Sequence, residues 1–222
     1  MSVRALRWAA LALIALALAA TWAAQRRGRP SVGGVVAEVP TVLGRGGEFE
    51  LLNRDGAPVA ATRLRGEPWV ADFIFTRCAL SCPRLTSLMI RLGEDAPGVR
   101  RVSFSVDPDH DTPGVLADYA AAYGIEDRDW LFLTGGREEI ESLVVDGFKL
   151  PIVREPPPEP ARPPDHAWEK EPILHSNRFV LVDAEGAIRG YYEATDEADY
   201  RELLADLAAL RREEPPPGGE AE

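Results

Sequence analysis

Cysteine, histidine and lysine are scarce in this chain of 222 residues, and so is positive charge beyond its first 30 positions. Residues 1–30 hold five arginines and no acid, which leaves 20 basic against 36 acidic residues elsewhere, a net charge of −16. This deficit argues against nucleic acid as a partner, because binding it needs a basic surface. It also disfavours attraction to anionic lipid. A solvated acidic surface is the simplest interpretation, and attraction of a basic partner is the alternative.

Charge is absent altogether from residues 8–24, which are almost wholly alanine, leucine and isoleucine. A helix of that length covers about 26 Å, at the short end for crossing a bilayer. Because no face is polar, a buried helix of a soluble domain is excluded. An uncleaved anchor and a signal peptide cleaved after a small-residue site at 17–19 both remain open, and we favour the anchor. We therefore expect a membrane anchor or signal over 1–27 and a Gly- and Pro-rich tether over 28–47.

Alternating strand and helix patterns follow from residue 48 to residue 212. We predict a hairpin over 48–59, strands at 69–75, 99–106, 130–134, 176–183 and 187–193, and helices at 83–94, 113–123, 137–145 and 196–211. This order predicts an α/β fold with a mixed sheet flanked by helices. Repeated prolines indicate a long exposed loop insertion at 155–172. The Pro-, Gly- and Glu-rich tail at 213–222 is expected to be disordered.

The only two cysteines, Cys78 and Cys82, lie where the apolar strand at 69–75 gives way to a helix. Sheets of this kind place ligand sites beyond the carboxyl ends of their strands, and a helix N-terminus favours a thiolate. Three interpretations remain open from spacing alone: a structural disulfide, a redox-active dithiol and a site for a soft metal.

The three histidines differ in their surroundings. His110 lies in a polar loop and His166 in the Pro-rich loop, and both are expected to be solvated. His175 lies at the entry of the strand at 176–183, beside apolar residues. A packed core histidine is the simpler interpretation of His175, and a metal ligand is the alternative.

Four segments together resemble the Sco/SenC family of copper chaperones. The first segment, at 70–83, contains VADFIFTRC and then the second cysteine followed by proline. The second and third are FSVDPDHDTP at 104–113 and WLFLTG at 130–135. The fourth, at 175–186, is HS followed by FVLVD and a glycine. They occur in the family's order across roughly residues 48–210, and an N-terminal anchor also fits the family.

The resemblance implies a thioredoxin-like fold and a copper site formed by Cys78, Cys82 and His175, holding Cu(I) or Cu(II). It implies service to the copper-centre (CuA) subunit of cytochrome c oxidase, from the outer (periplasmic) side of a bacterial inner membrane. It favours a metallochaperone over an enzyme. The alternative is a thiol–disulfide oxidoreductase that uses Cys78 and Cys82 as its redox pair to keep a partner's cysteines reduced. Asp107 could tune the site from outside the ligand set, or simply cap the end of its strand.

Two departures from the family pattern affect the dithiol. Ala79 stands where the family usually has proline, and Arg77 stands where it more often has an uncharged residue. We expect the cation of Arg77 to lower the pKa of the thiols and to shift the balance toward thiol–disulfide exchange. If a metal site exists, the ring of His175 should approach the two sulfurs within about 4–5 Å, since metal–sulfur and metal–nitrogen bonds are about 2.0–2.3 Å.

Overall fold

The structure, a computed structural model, describes residues 39–79, 81–154 and 173–213. Ten strands are found there: β1 (Gly44–Arg45), β2 (Glu50–Asn53), β3 (Pro58–Ala60), β4 (Trp69–Ile74), β5 (Arg100–Ser105), β6 (Trp130–Thr134), β7 (Ile152–Arg154), β8 (Ile173–His175), β9 (Arg178–Val182) and β10 (Ala187–Glu193). The helices are α1 (Ser81–Asp95), α2 (Pro113–Ala122), α3 (Arg137–Ser142), which continues as a π-helical turn Leu143–Gly147, and α4 (Glu197–Glu213); a short 3₁₀ helix spans Ala61–Leu64.

Several sequence predictions lie outside the described residues: the membrane anchor, most of the tether, the Pro-rich loop with His166, and the tail beyond residue 213. Within the three described ranges, no helix is long and apolar enough to cross a membrane.

Eight strands form one mixed sheet in the order β1-β10-β9-β4-β5-β6-β2-β3. The central strands β4, β5 and β6 are parallel, and β9 and β2 join them antiparallel on either side. Each parallel crossover contains a helix, α1 after β4 and α2 after β5. The carboxyl ends of β4 and β5 therefore meet at one edge of the sheet, where the segment with both cysteines follows β4.

Both faces of the sheet are covered, which explains the apolar run of β4. Val70 and Ile74 face the layer formed by α1, α2 and α4, whereas Ala71 and Phe73 face the layer that contains α3 and the π-helical turn. A strand buried on both faces is apolar nearly throughout. The mixed α/β sheet flanked by helices that the sequence predicts is confirmed.

The edges of the fold differ from the sequence expectations. Gly44–Arg45, inside the predicted tether, pairs with β10 as an edge strand. His175 does not begin the strand that the sequence places at 176–183, because that strand starts at Arg178. His175 instead ends β8, which pairs with β7 in a separate two-stranded ribbon, so its backbone position is set by contacts outside the main sheet.

Candidate metal centre

The two cysteines lie on either side of the start of α1. Cys78 is half-buried in the turn after β4, and Cys82, the second residue of α1, is fully buried. The backbone N–H of Cys82 donates to Sγ of Cys78 at 3.4 Å, and the N–H of Phe75 contacts Sγ of Cys82 at 3.5 Å. The Cys78 sulfur thus receives one of the N–H groups that a helix N-terminus leaves without an intrahelical partner.

The dithiol holds its protons unequally. Hydrogen bonding to the Cys82 side chain lowers the pKa of Cys78 against the opposing effect of burial, with smaller contributions from the Cys82 backbone N–H and Ser81. The same hydrogen bond, together with burial, raises the pKa of Cys82. The half-buried Cys78 thiol is therefore the more acidic of the two, and the buried Cys82 thiol is the one that retains its proton more strongly.

His175 brings its ring to the buried cysteine. Its Nε2 atom lies 3.5 Å from Sγ of Cys82, and the ring packs edge-on against Phe75 with centroids 5.5 Å apart. Its Nδ1 atom lies 3.0 Å from the carbonyl oxygen of Ser176. Because a carbonyl oxygen can only accept, Nδ1 carries the proton, and in the neutral ring the lone pair of Nε2 faces the sulfurs. The predicted approach within about 4–5 Å is met for the Cys82 sulfur.

Asp107 contacts the dithiol segment through Arg77. Its carboxylate, 2% exposed, accepts from Nε of Arg77 at 2.9 Å and from Nη2 at 2.5 Å. The expectation that Arg77 acts on the thiols finds no support, because the guanidinium is directed at Asp107 and hydrogen bonding to Cys82 is the largest cause of the lowered pKa of Cys78. No described contact joins Asp107 to a cysteine or to His175, so its tuning role stays a prediction.

Asp111 ties the cysteine segment to the turn after β5, which the sequence did not indicate. Its buried carboxylate accepts from the backbone N–H of Thr76 at 3.1 Å, from the Thr76 hydroxyl at 2.6 Å and from the Ser105 hydroxyl at 2.6 Å. Its neighbour Thr112 caps α2, with its hydroxyl accepting from the backbone N–H of Val115. Nothing in the spacing distinguishes Asp111 from an ordinary cap.

His110 stands at the rim of the same turn. Its Nδ1 atom lies 3.0 Å from Asp111 and its side chain is 42% exposed, so it is exposed as expected but not free of partners. Potential ligand atoms of Asp107, His110 and Asp111 lie within 4.8 Å of one another. Because Arg77, Thr76 and Ser105 already engage the two carboxylates, we interpret Asp107 and Asp111 as a brace for the cysteine segment rather than as part of a second metal site.

Asp72 is a buried carboxyl group on β4, facing the same side as Val70 and Ile74. Neither of its oxygens has a well-formed hydrogen bond to a described residue, and its register partner Ser103 offsets only part of the cost of burial. Burial raises the pKa of Asp72 to about 7. The sequence signal was available, since Asp72 is the one charged residue in the apolar run at 69–75.

Two sulfurs and one imidazole nitrogen therefore converge beyond the carboxyl end of β4. Thiolates select Cu(I) or zinc, and imidazole suits copper and zinc. Three protein ligands leave a position open for a ligand from another molecule. The same dithiol, with one thiolate and one protonated thiol, is also the arrangement that thiol–disulfide exchange requires.

Comparisons with known proteins agree with this geometry. A family model described as SCO1/SenC matches residues 41–211. A relative from Bacillus subtilis named SCO1 protein homolog is 35% identical over 164 residues, which cover 72% of this chain and 79% of the relative.

Two solved structures match across the same region. The copper-bound structure of Bradyrhizobium japonicum ScoI is 25% identical with a TM-score of 0.58, and the match covers 75% of this chain and 99% of that one. The structure of BsSco, described as a member of the Sco family of cytochrome c oxidase assembly proteins with a disulfide switch, is 31% identical with a TM-score of 0.61, covering 78% and 98%. These matches confirm the thioredoxin-like fold, and the chain belongs to the SCO1/SenC family.

Proposed function

We propose that this chain binds copper as cargo through Cys78, Cys82 and His175 and takes part in the assembly of cytochrome c oxidase. The observation that carries the proposal is the 3.5 Å approach of the His175 Nε2 atom to Sγ of Cys82, next to the Cys78 sulfur. That approach brings a borderline nitrogen donor to two soft sulfur donors, a set that suits copper.

The ligand chemistry gives the site a means of releasing its cargo. Cys82 must lose its proton before it can bind, so copper affinity falls on acidification. The hydrogen bond from Nδ1 of His175 to the Ser176 carbonyl keeps Nε2 aimed at the site. With three ligands from this chain, an incoming ligand from the recipient can bind before the outgoing ones leave.

The recipient we propose is the CuA-bearing subunit of cytochrome c oxidase. Support comes from the description of BsSco as a cytochrome c oxidase assembly protein and from the copper bound to ScoI of Bradyrhizobium japonicum. We further propose that residues 1–27 anchor the chain in a bacterial inner membrane. In that arrangement, the stretch from residue 28 to β1 tethers the folded domain, whose sheet begins at Gly44, on the periplasmic side.

Copper binding is tested with the full chain, reduced and loaded anaerobically with Cu(I). We expect about one copper per chain, competition with a Cu(I) chelator, and weaker binding by His175→Ala. Wild-type protein that stays copper-free with reduced thiols would overturn the proposal. Delivery is tested by complementing a deletion strain, where wild-type protein should restore oxidase activity and the Cys78→Ser/Cys82→Ser variant should not.

A second candidate function is reduction of a partner's disulfide, favoured by the unequal protonation of the dithiol. The Cys78 thiolate would attack one sulfur of the partner's disulfide, and the other sulfur would leave as a thiolate. Cys82, after losing its proton, would then attack the mixed disulfide, leaving a Cys78–Cys82 disulfide and two reduced cysteines on the partner. The disulfide switch in the structure of BsSco supports this candidate.

The two functions are separable by His175, because exchange does not need the imidazole as a ligand. If His175→Ala still reduces a disulfide peptide that carries the cysteine pair of a CuA site but no longer holds copper, the chain has both capacities. A reduction potential for the dithiol far from that of its compartment would argue against exchange, because the pair could not cycle.

A further inference from the structure

Arg77 and Asp107 form an ion pair beside the dithiol. Both bonds from the guanidinium, through Nε and Nη2, reach the same oxygen, Oδ2 of Asp107. Asp107 is buried, whereas the Arg77 side chain is 28% exposed. The carboxylate is therefore enclosed by protein, and its charge is balanced by a group that remains partly in contact with solvent.

The backbone of the turn holds Asp107 in place independently of Arg77. The N–H of Asp107 donates to the Ser105 hydroxyl at 3.1 Å, and its carbonyl oxygen accepts from the N–H groups of His110 and Asp111 at 3.0 and 2.9 Å. Removal of the guanidinium would thus leave a buried carboxylate that the backbone keeps at the same edge of the sheet. Asp109, in the same turn, already has its own ion pair with Arg137.

The position of the pair places it beside the candidate metal centre. Arg77 directly precedes Cys78, so their Cα atoms are about 3.8 Å apart, and Asp107 follows β5, the neighbour of the strand that leads to the cysteines. The ion pair contributes no net charge there. Without the cation, Asp107 would add a further uncompensated negative charge beside the buried carboxylate of Asp111, from an oxygen donor of the kind that favours harder, more highly charged ions.

We propose that Arg77 sets the preference of the site for Cu(I) over Cu(II) by neutralising the charge of Asp107. The inference rests on the proposed copper site. In it, Arg77 is not a copper ligand and affects only the preference between the two oxidation states of copper. Cu(II) carries one more positive charge than Cu(I), so a freed carboxylate stabilises it more. As a scale for this effect, Coulomb's law gives a change of roughly an order of magnitude for a unit charge about 10 Å from an ion at an effective dielectric constant of about 20.

The test is a double-mutant cycle on the full chain, with competition against chelators for Cu(I) and for Cu(II). Arg77→Met should raise the affinity for Cu(II) relative to Cu(I) by about tenfold, equivalent to a fall of about 59 mV in the copper potential. Asp107→Asn, which leaves the cation alone, should shift the potential the opposite way. The double variant should return close to the wild-type value, and Arg77→Lys, which keeps the charge, should stay near it.

Each outcome separates this inference from the proposed function. If wild-type protein binds no copper, the proposed function fails. If all variants bind copper with the same potential, the proposal for Arg77 is wrong although the copper site stands. If Arg77→Met does not fold, because it buries an unpaired carboxylate, the comparison of Asp107→Asn with the double variant still decides. Those two also differ by the Arg77 charge, and equal potentials would contradict the proposal.

Discussion

The Nε2 atom of His175 and the Sγ atom of Cys82 lie 3.5 Å apart although the two residues are separated by 93 positions in the chain. The cysteine is held by the first turn of α1 and the histidine by the end of the β7–β8 ribbon. Two elements that share no strand pairing therefore meet at this contact. The site depends on their packing, to which the edge-on ring contact between Phe75 and His175 contributes.

Replacing His175 by alanine tests whether this contact binds metal. Loss of a residue that only hydrogen-bonds a metal ligand costs roughly 10–100-fold in metal affinity. Because His175→Ala removes a ligand itself, we expect Cu(I) affinity to fall by more than this, while the fold is kept. His110→Ala is the matched control, because that ring lies at the rim and contacts Asp111 rather than a cysteine. Chelator competition measures both. Equal losses in the two variants would show that the imidazole at 175 has no special role.

The buried carboxyl of Asp72 should make stability depend on pH. Its pKa is about 7 in the folded chain and about 3.9 when unfolded, so between these values the folded state holds more protons and stability falls as pH rises. The stabilising effect of Asp72→Asn should therefore be larger at about pH 8 than at about pH 5, by about 2–3 kcal/mol.

Denaturant unfolding of the copper-free protein at the two pH values measures this difference. Asp118→Asn is the control, since Asp118 is exposed on α2 and should give the same small effect at both pH values. A difference for Asp72→Asn that does not change with pH would show that the carboxyl is solvated or paired in solution.

The sheet and its helices could be predicted from the sequence because their signals are local. The apolar run of β4 and the predicted helices at 83–94 and 113–123 each lie within about a dozen residues, and each is confirmed. The ribbon of β7 and β8 could not be predicted in the same way. Its two strands of three residues are joined across 155–172, and nothing local indicates that Ile152 pairs with His175.

The candidate metal ligands could be predicted from the sequence, whereas the hydrogen bonds that hold the cysteine segment in place could not. Cys78, Cys82 and His175 stand out by residue type and by family resemblance. The partly buried bonds from Thr76 to Asp111 and from Arg77 to Asp107 join segments about 30 residues or more apart, through residue types that are common in exposed turns and caps. Their burial is a property of the packed turn after β5, which no pattern within that turn reveals.

The bond network of Asp111 predicts a large cost for its removal. Asp111→Ala leaves the Thr76 and Ser105 hydroxyls without their acceptor, and an unsatisfied buried polar group costs about 1–3 kcal/mol, so we expect a loss of about 2–4 kcal/mol in the free energy of unfolding. Asp109→Ala is the control, because Asp109 is 57% exposed and its ion pair with Arg137 lies at the surface, where such pairs contribute about 0–1 kcal/mol. Similar losses in the two variants would contradict the bracing role.

The protonation of the dithiol gives the sharpest test of its chemistry. Because hydrogen bonding to Cys82 is the largest cause of the lowered pKa of Cys78, Cys82→Ala should raise the pKa of Cys78 toward the ordinary thiol value of about 8.5. Iodoacetamide should therefore alkylate Cys78 of the reduced wild-type protein at about pH 6, and Cys82→Ala should react there at least about tenfold more slowly. Ser81→Ala should change the rate little, since Ser81 contributes least to the shift. An unchanged rate in Cys82→Ala would mean that the N-terminus of α1, rather than the second thiol, holds the thiolate.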